Sequence, residues 1–121
     1  MEELNKTGDL KDRTYQYSLS VVNFCRTLPE TTEAQEIRSK LFEKSSNIGL
    51  MARLAFKGRN NNDFKDKLRR IINDADECIY WFDMLIDLTI VNEYDVDELM
   101  SEASELIAIF ISITKKSRNP Y

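Results

Sequence analysis

Two carboxylate pairs, Asp74 with Glu77 and Glu102 with Glu105, stand three residues apart, the spacing at which helical side chains share a face and could share a cation. The same spacing is common on any solvated acidic helix. The chain contains no histidine, so it can supply neither a Ser-His-Asp nor a Cys-His pair, no Glu-x-x-His metal motif and no imidazole proton switch. Gly8, Gly49 and Gly58 form no dinucleotide or phosphate-loop fingerprint. Cys25 and Cys78 lie in apolar helical surroundings without a second ligand at metal spacing, and read as reduced core thiols. The sequence therefore predicts no catalytic residue, no metal site and no cofactor. A second chemistry is anion binding. Lys57, Arg59, Lys65, Arg69 and Arg70 cluster around one break in the chain and could grip phosphates, with Phe64 the lone aromatic there for stacking on a base. Such binding would be salt-sensitive and weakly sequence-dependent.

The elements that must position these residues are helices. A length of 121 residues suits one domain, and three glycines with two prolines leave too little turn chemistry for an all-β chain. Leu10, Thr14, Tyr17, Val21, Phe24 and Leu28 step by fours and threes, which predicts a first helix over 10–28 with Thr14 as the misfit. Pro29 stops it. Thr31 or Thr32 can cap the second helix, Thr32 in a box with Gln35, and Ala34, Ile37, Leu41, Ile48, Ala52 and Ala55 mark its buried stripe. Ser45 and Gly49 keep part of that stripe small enough for close helix packing, and Asn47 beside it reads as a buried amide that fixes register through a hydrogen bond. Gly58 to Asn62 is a break with an asparagine available to cap the next helix. A third helix is predicted over 63–91 on the seam Phe64, Leu68, Ile71, Ala75, Cys78, Phe82 and Leu85. A fourth is capped by Asp95 with Glu98 and runs through Val96, Met100, Ala103, Ile107 and Phe110 to about residue 116.

Short connections between four such helices predict an all-α, antiparallel up-and-down four-helix bundle over 10–116, with a flexible segment at 1–9 and a tail at 117–121. The N-terminus has neither a basic region nor an apolar core, and the longest apolar run, Leu106 to Ile113, falls far short of the roughly 20 residues a membrane span needs. A cytoplasmic protein without membrane contact is expected.

Helices three and four carry more apolar perimeter than a lone bundle hides. Trp81, Met84 and Leu88 widen the arc of helix three, and Leu106 to Ile111 is apolar on every side. Tyr80, Trp81 and Phe82 cannot all face one seam. The reading is that Trp81, Met84, Leu88, Ile109 and Ile111 meet a second copy of the chain. Charge is also polarised. A formal net charge of −4 and a pI near 4.9 conceal a basic end, holding Lys57, Lys65, Arg69 and Arg70, and an acidic end, holding Glu33, Asp83, Asp87, Asp95 and Glu98. Helix three alone opens basic and closes acidic, against its own dipole. That calls for neutralising neighbours or a bound anion.

Ser46-Asn47-Ile48, followed by Gly58-Arg59, Asp63-Phe64, Leu68, Glu77 and Trp81, resembles the 23S rRNA intervening-sequence proteins, a four-helix-bundle family, over residues 10–116. The resemblance implies a bundle that assembles as a homopentameric ring. The fold also resembles the accessory protein of diversity-generating retroelements, a basic ring that binds nucleic acid and a reverse transcriptase. The spacing of Asp74 and Glu77 is similar, more weakly, to the magnesium-binding helices of all-α nucleotide pyrophosphohydrolases, without their earlier acidic doublet. The sequence thus supports a non-enzymatic, self-associating scaffold first, an RNA or nucleoprotein adaptor second, and a metal-dependent nucleotide hydrolase third.

Overall fold

The structure is a computed structural model that describes the backbone of residues 2–57 and 60–117 and the side chains of 10–57 and 60–116. Four helices succeed one another: α1 (Glu2–Cys25), α2 (Thr32–Ala55), α3 (Asn61–Asp87) and α4 (Glu93–Ser117). Each packs against the next in the chain, α1 returns to α4 over a short stretch, and across the diagonal the Phe24 ring of α1 meets the Phe82 ring of α3 edge to face, 5.7 Å between centroids. This is the antiparallel up-and-down four-helix bundle that the apolar periodicity predicts. α1 begins at Glu2 rather than near Leu10.

The core is the set of stripes that the spacing marks. α2 buries Ala34, Ile37, Leu41, Ser45, Ile48, Ala52 and Ala55, and α3 buries Leu68, Ile71, Ala75, Cys78, Phe82 and Leu85. Thr14, the misfit on α1, is fully buried because its hydroxyl donates to the Leu10 carbonyl at 2.6 Å, so it carries no unmet donor inside. On α4 the core residues are Val96, Ala103, Leu106 and Phe110; Met100 and Ile107 lie half-buried at its edge. α1 lies close against α2 at Gly49: a Cβ there would stand 2.8 Å from the Ser18 hydroxyl and 3.4 Å from the Tyr15 Cα. Ser18 is held in that position by donating to the Ser45 carbonyl at 2.6 Å.

The ends of the helices depart from expectation in instructive ways. Thr31 caps α2, accepting from the Ala34 amide, while Gln35 turns away to bond Glu30. Asn60 caps α3 by accepting from the Asp63 amide at 2.8 Å. α1 stops at Cys25, with its last turn tightened by Thr27 and Leu28 amides bonding three residues back before Pro29. α3 ends at Asp87, not Val91. The Thr89 amide bonds the Ile86 carbonyl and the Ile90 amide bonds the Leu85 carbonyl, a Schellman closure that puts Thr89 at a φ of 56°. α4 is capped by a reciprocal box between Asn92 and Asp95, three residues earlier than the Asp95 and Glu98 pair. Asn47 is half-buried and its side chain forms no hydrogen bond among the described residues, so it does not pin the register. Among the described residues no helix is long and apolar enough to cross a membrane.

Candidate functional site

Three of the four paired carboxylates, Glu77, Glu102 and Glu105, are engaged with cations of the chain itself. Arg13 on α1 reaches across to α4, where Nε donates to Glu102 at 2.6 Å and a terminal nitrogen donates to Glu102 at 2.8 Å and to Glu105 at 2.7 Å. The Glu102 hydrogen bonds lift the Arg13 pKa still further above its ordinary value, against the cost of burial. One turn on, the buried Tyr17 hydroxyl donates to the Leu99 carbonyl at 3.0 Å, and burial raises its pKa strongly. These two contacts fasten the edge where α1 meets α4. On α3, Glu77 faces Lys44 of α2 at 3.7 Å and accepts from the Trp81 indole at 3.3 Å. Asp74, half-buried beside it, has its pKa raised by desolvation, with Lys44 opposing. Among the described residues no three Cys, Asp or Glu groups gather at metal-binding distance. Burial pushes the Cys25 thiol up to about 11 and the Cys78 thiol up to about 12, and both are free. Neither is a nucleophile at neutral pH.

The candidate phosphate-gripping cations do not converge. Lys57 lines a groove of about 610 Å³ between α1 and α2, shared with Lys11 and Arg53, whereas Lys65, Arg69 and Arg70 ride on the first turns of α3 and do not line it. Lys65 and Arg69, four apart, share one side of α3; Arg70 points about 100° away from Arg69. Arg69 is bound to Asp66 at 2.8 Å, and the neighbouring Lys67 to Asp63 at 2.6 Å. Phe64 is half-buried against the Phe56 ring, 5.8 Å between centroids. Arg59 lies outside the described residues.

The apolar candidates divide into two groups. On α3, Phe82 enters the core, Trp81 and Met84 are half-buried, and Tyr80 and Leu88 are 54% and 45% exposed. The Tyr80 and Trp81 rings meet edge to face at 4.9 Å. Tyr80, Met84 and Leu88 step by four, so they stand in one row and form a ridge on the outside of α3. Ile109 and Ile111 do not extend it: two residues apart on α4, they diverge by about 200°, and only Ile111 is exposed. A second surface escaped the sequence reading. Tyr15, Leu19, Phe42 and Leu50 are all exposed; Tyr15 and Leu50 line one stretch of the groove between α1 and α2, Val22 and Phe42 line another, and Leu19 stands between Tyr15 and Val22 on the same row of α1. The available signal was the 15, 19, 22 spacing on α1, running beside the core stripe. Tyr94, at the start of α4, is 91% exposed.

No protein-family model matches the chain, and no curated protein matches it. Among solved structures it is similar to a protein of unknown function from the S23 ribosomal protein family of Bacteroides thetaiotaomicron VPI-5482. The two chains superpose with a TM-score of 0.84 at 23% sequence identity, over 91% of this chain and 98% of the other. That likeness establishes a shared fold.

Proposed function

We propose that this protein is a non-enzymatic helical bundle that assembles with copies of itself and serves as a scaffold, within the intervening-sequence family that its motifs resemble and as the pentameric ring that resemblance implies. One observation carries the reading: the chain keeps large apolar side chains in water on two distinct surfaces, the α3 ridge and the α1/α2 groove. Single exposed leucines are ordinary, but rows of aromatic and aliphatic residues mark surfaces that associate. Two different patches on one subunit are what a head-to-tail contact uses, and such contacts close into rings when the rotation per subunit permits. The engaged carboxylates and inert thiols favour this role over a hydrolytic one. The reading as an RNA or nucleoprotein adaptor has less to draw on, because the α3 cations stand apart from the Lys11, Arg53 and Lys57 groove.

Size-exclusion chromatography with light scattering tests the proposal. The expected mass is a multiple of 14.2 kDa that persists on dilution; a single species at 14.2 kDa overturns it.

A further inference from the structure

Taking self-association as given, we propose that the α1/α2 groove of one copy, at Val22, Arg26 and Phe42, receives the α3 ridge of Tyr80, Met84 and Leu88 from a second copy. The first argument is height along the bundle. Copies rotated about an axis parallel to the bundle meet at matching levels, so in such a ring two patches can pair only if they lie at the same level in one subunit. Here they do. The Ser18 hydroxyl bonds the Ser45 carbonyl and the Cys25 thiol faces the Arg38 carbonyl at 4.0 Å, which sets Val22 of α1 level with Leu41 of α2. Lys44 meets Glu77 and the Phe56 ring meets Phe64, which sets Leu41 level with Tyr80 of α3. By the same count Arg26 stands level with Met84.

The second argument is charge. Asp83 and Asp87 occupy the last turns of α3, where the helix dipole disfavours acids, and α3 has no basic residue in its last turn. Among the described residues neither carboxylate forms an ion pair. Arg26 lies exposed on the lining of the groove, and among the described residues its guanidinium hydrogen-bonds Asn23 alone, at 3.2 Å. Seating the ridge in the groove brings the next copy's Asp83 and Asp87 to the level of Arg26, which supplies the cation that α3 lacks. The third is shape. Val22 and Phe42 line a concavity, while Tyr80 and Leu88 stand proud of α3. Because groove and ridge differ, the contact is head-to-tail.

A mixing experiment reads this directly. The groove variant carries Arg26→Glu with Phe42→Glu, and the ridge variant carries Tyr80→Glu with Leu88→Glu; all four positions are exposed, and circular dichroism checks that each variant keeps the parent's helicity. Each variant alone should run at 14.2 kDa. An equimolar mixture should double that mass and stop, since one intact ridge finds one intact groove and the complex cannot extend. It is run at about 0.1 mM because an open pair lacks the effective-concentration gain of a closed ring. A mixture that stays at 14.2 kDa, or a variant that alone keeps the mass of an oligomeric parent, overturns the pairing while leaving self-association standing. A parent that itself runs at 14.2 kDa overturns both.

Discussion

Replacing Thr89 with glycine should stabilise the fold. Thr89 closes α3 at a φ of 56°, in the left-handed region where a Cβ crowds the following carbonyl and a β-branched side chain is an outlier. The penalty there is about 1–2 kcal/mol, and the Thr89 side chain offsets none of it, since its hydroxyl makes no hydrogen bond among the described residues. Glycine removes that cost but gives back about 0.5–1 kcal/mol through the freer unfolded chain, for a net gain of about 0.5–1 kcal/mol. With about 2.1 cal/mol/K of unfolding entropy per residue, a chain of 121 residues gains about 4 °C per kcal/mol, so Tm should rise by about 2–4 °C. The assay is thermal unfolding monitored by far-ultraviolet circular dichroism, at two fixed concentrations because assembly shifts Tm by mass action. Thr89→Ala is the control: it keeps a Cβ in the same conformation and should gain nothing. An unchanged or lowered Tm for Thr89→Gly, or an equal rise for Thr89→Ala, would refute the strain argument.

Where α1 lies against α2, Gly49→Ala should destabilise by about 1 kcal/mol despite alanine's better helix propensity, because the anchored Ser18 hydroxyl occupies the space. In a Ser18→Ala background the same change should turn neutral or stabilising; urea melts of the four proteins in the cycle decide it. The buried thiols set the alkaline limit. Their pKa values of about 11 and 12 exceed the ordinary 9.0, so the unfolded chain releases these protons first. Their contribution is fully present below pH 9 and is lost progressively from there until each thiol ionises in the folded chain, near pH 11 and 12. Urea midpoints should therefore fall across that range, and a Cys25→Ala, Cys78→Ala double variant should show a shallower decline.

The helices were legible because each buries a single stripe, and a stripe has a period. Thr14 fits that stripe for a reason invisible to periodicity: its hydroxyl is satisfied by its own helix. The ends were less legible because capping depends on which of several competent residues closes the turn. Thr31 rather than Thr32 and Asn92 rather than Asp95 fill the caps, and Thr89 does what a glycine is expected to do. The α3 ridge could be read from an apolar arc too wide for one face. Ile109 and Ile111 could not be assigned that way, since a run apolar on all sides hides which residue points where. The α1/α2 groove went unseen because its lining, Tyr15 and Val22 with Phe42 and Leu50, comes from two helices that the small Gly49 lets pack closely. The carboxylate pairs were visible as spacing, but their partners Arg13 and Lys44 are set by tertiary placement alone.

The fork of Arg13 on Glu102 and Glu105 has a bearing on uniqueness as much as on strength. Greasy stripes on two rods tolerate a slide of one helical pitch, about 5.4 Å, with little loss of contact. A guanidinium that must straddle two carboxylates, with a phenol seeking one carbonyl nearby, accepts a single axial setting. The first rod is thereby indexed against the last, where the chain itself provides no connecting turn to do so.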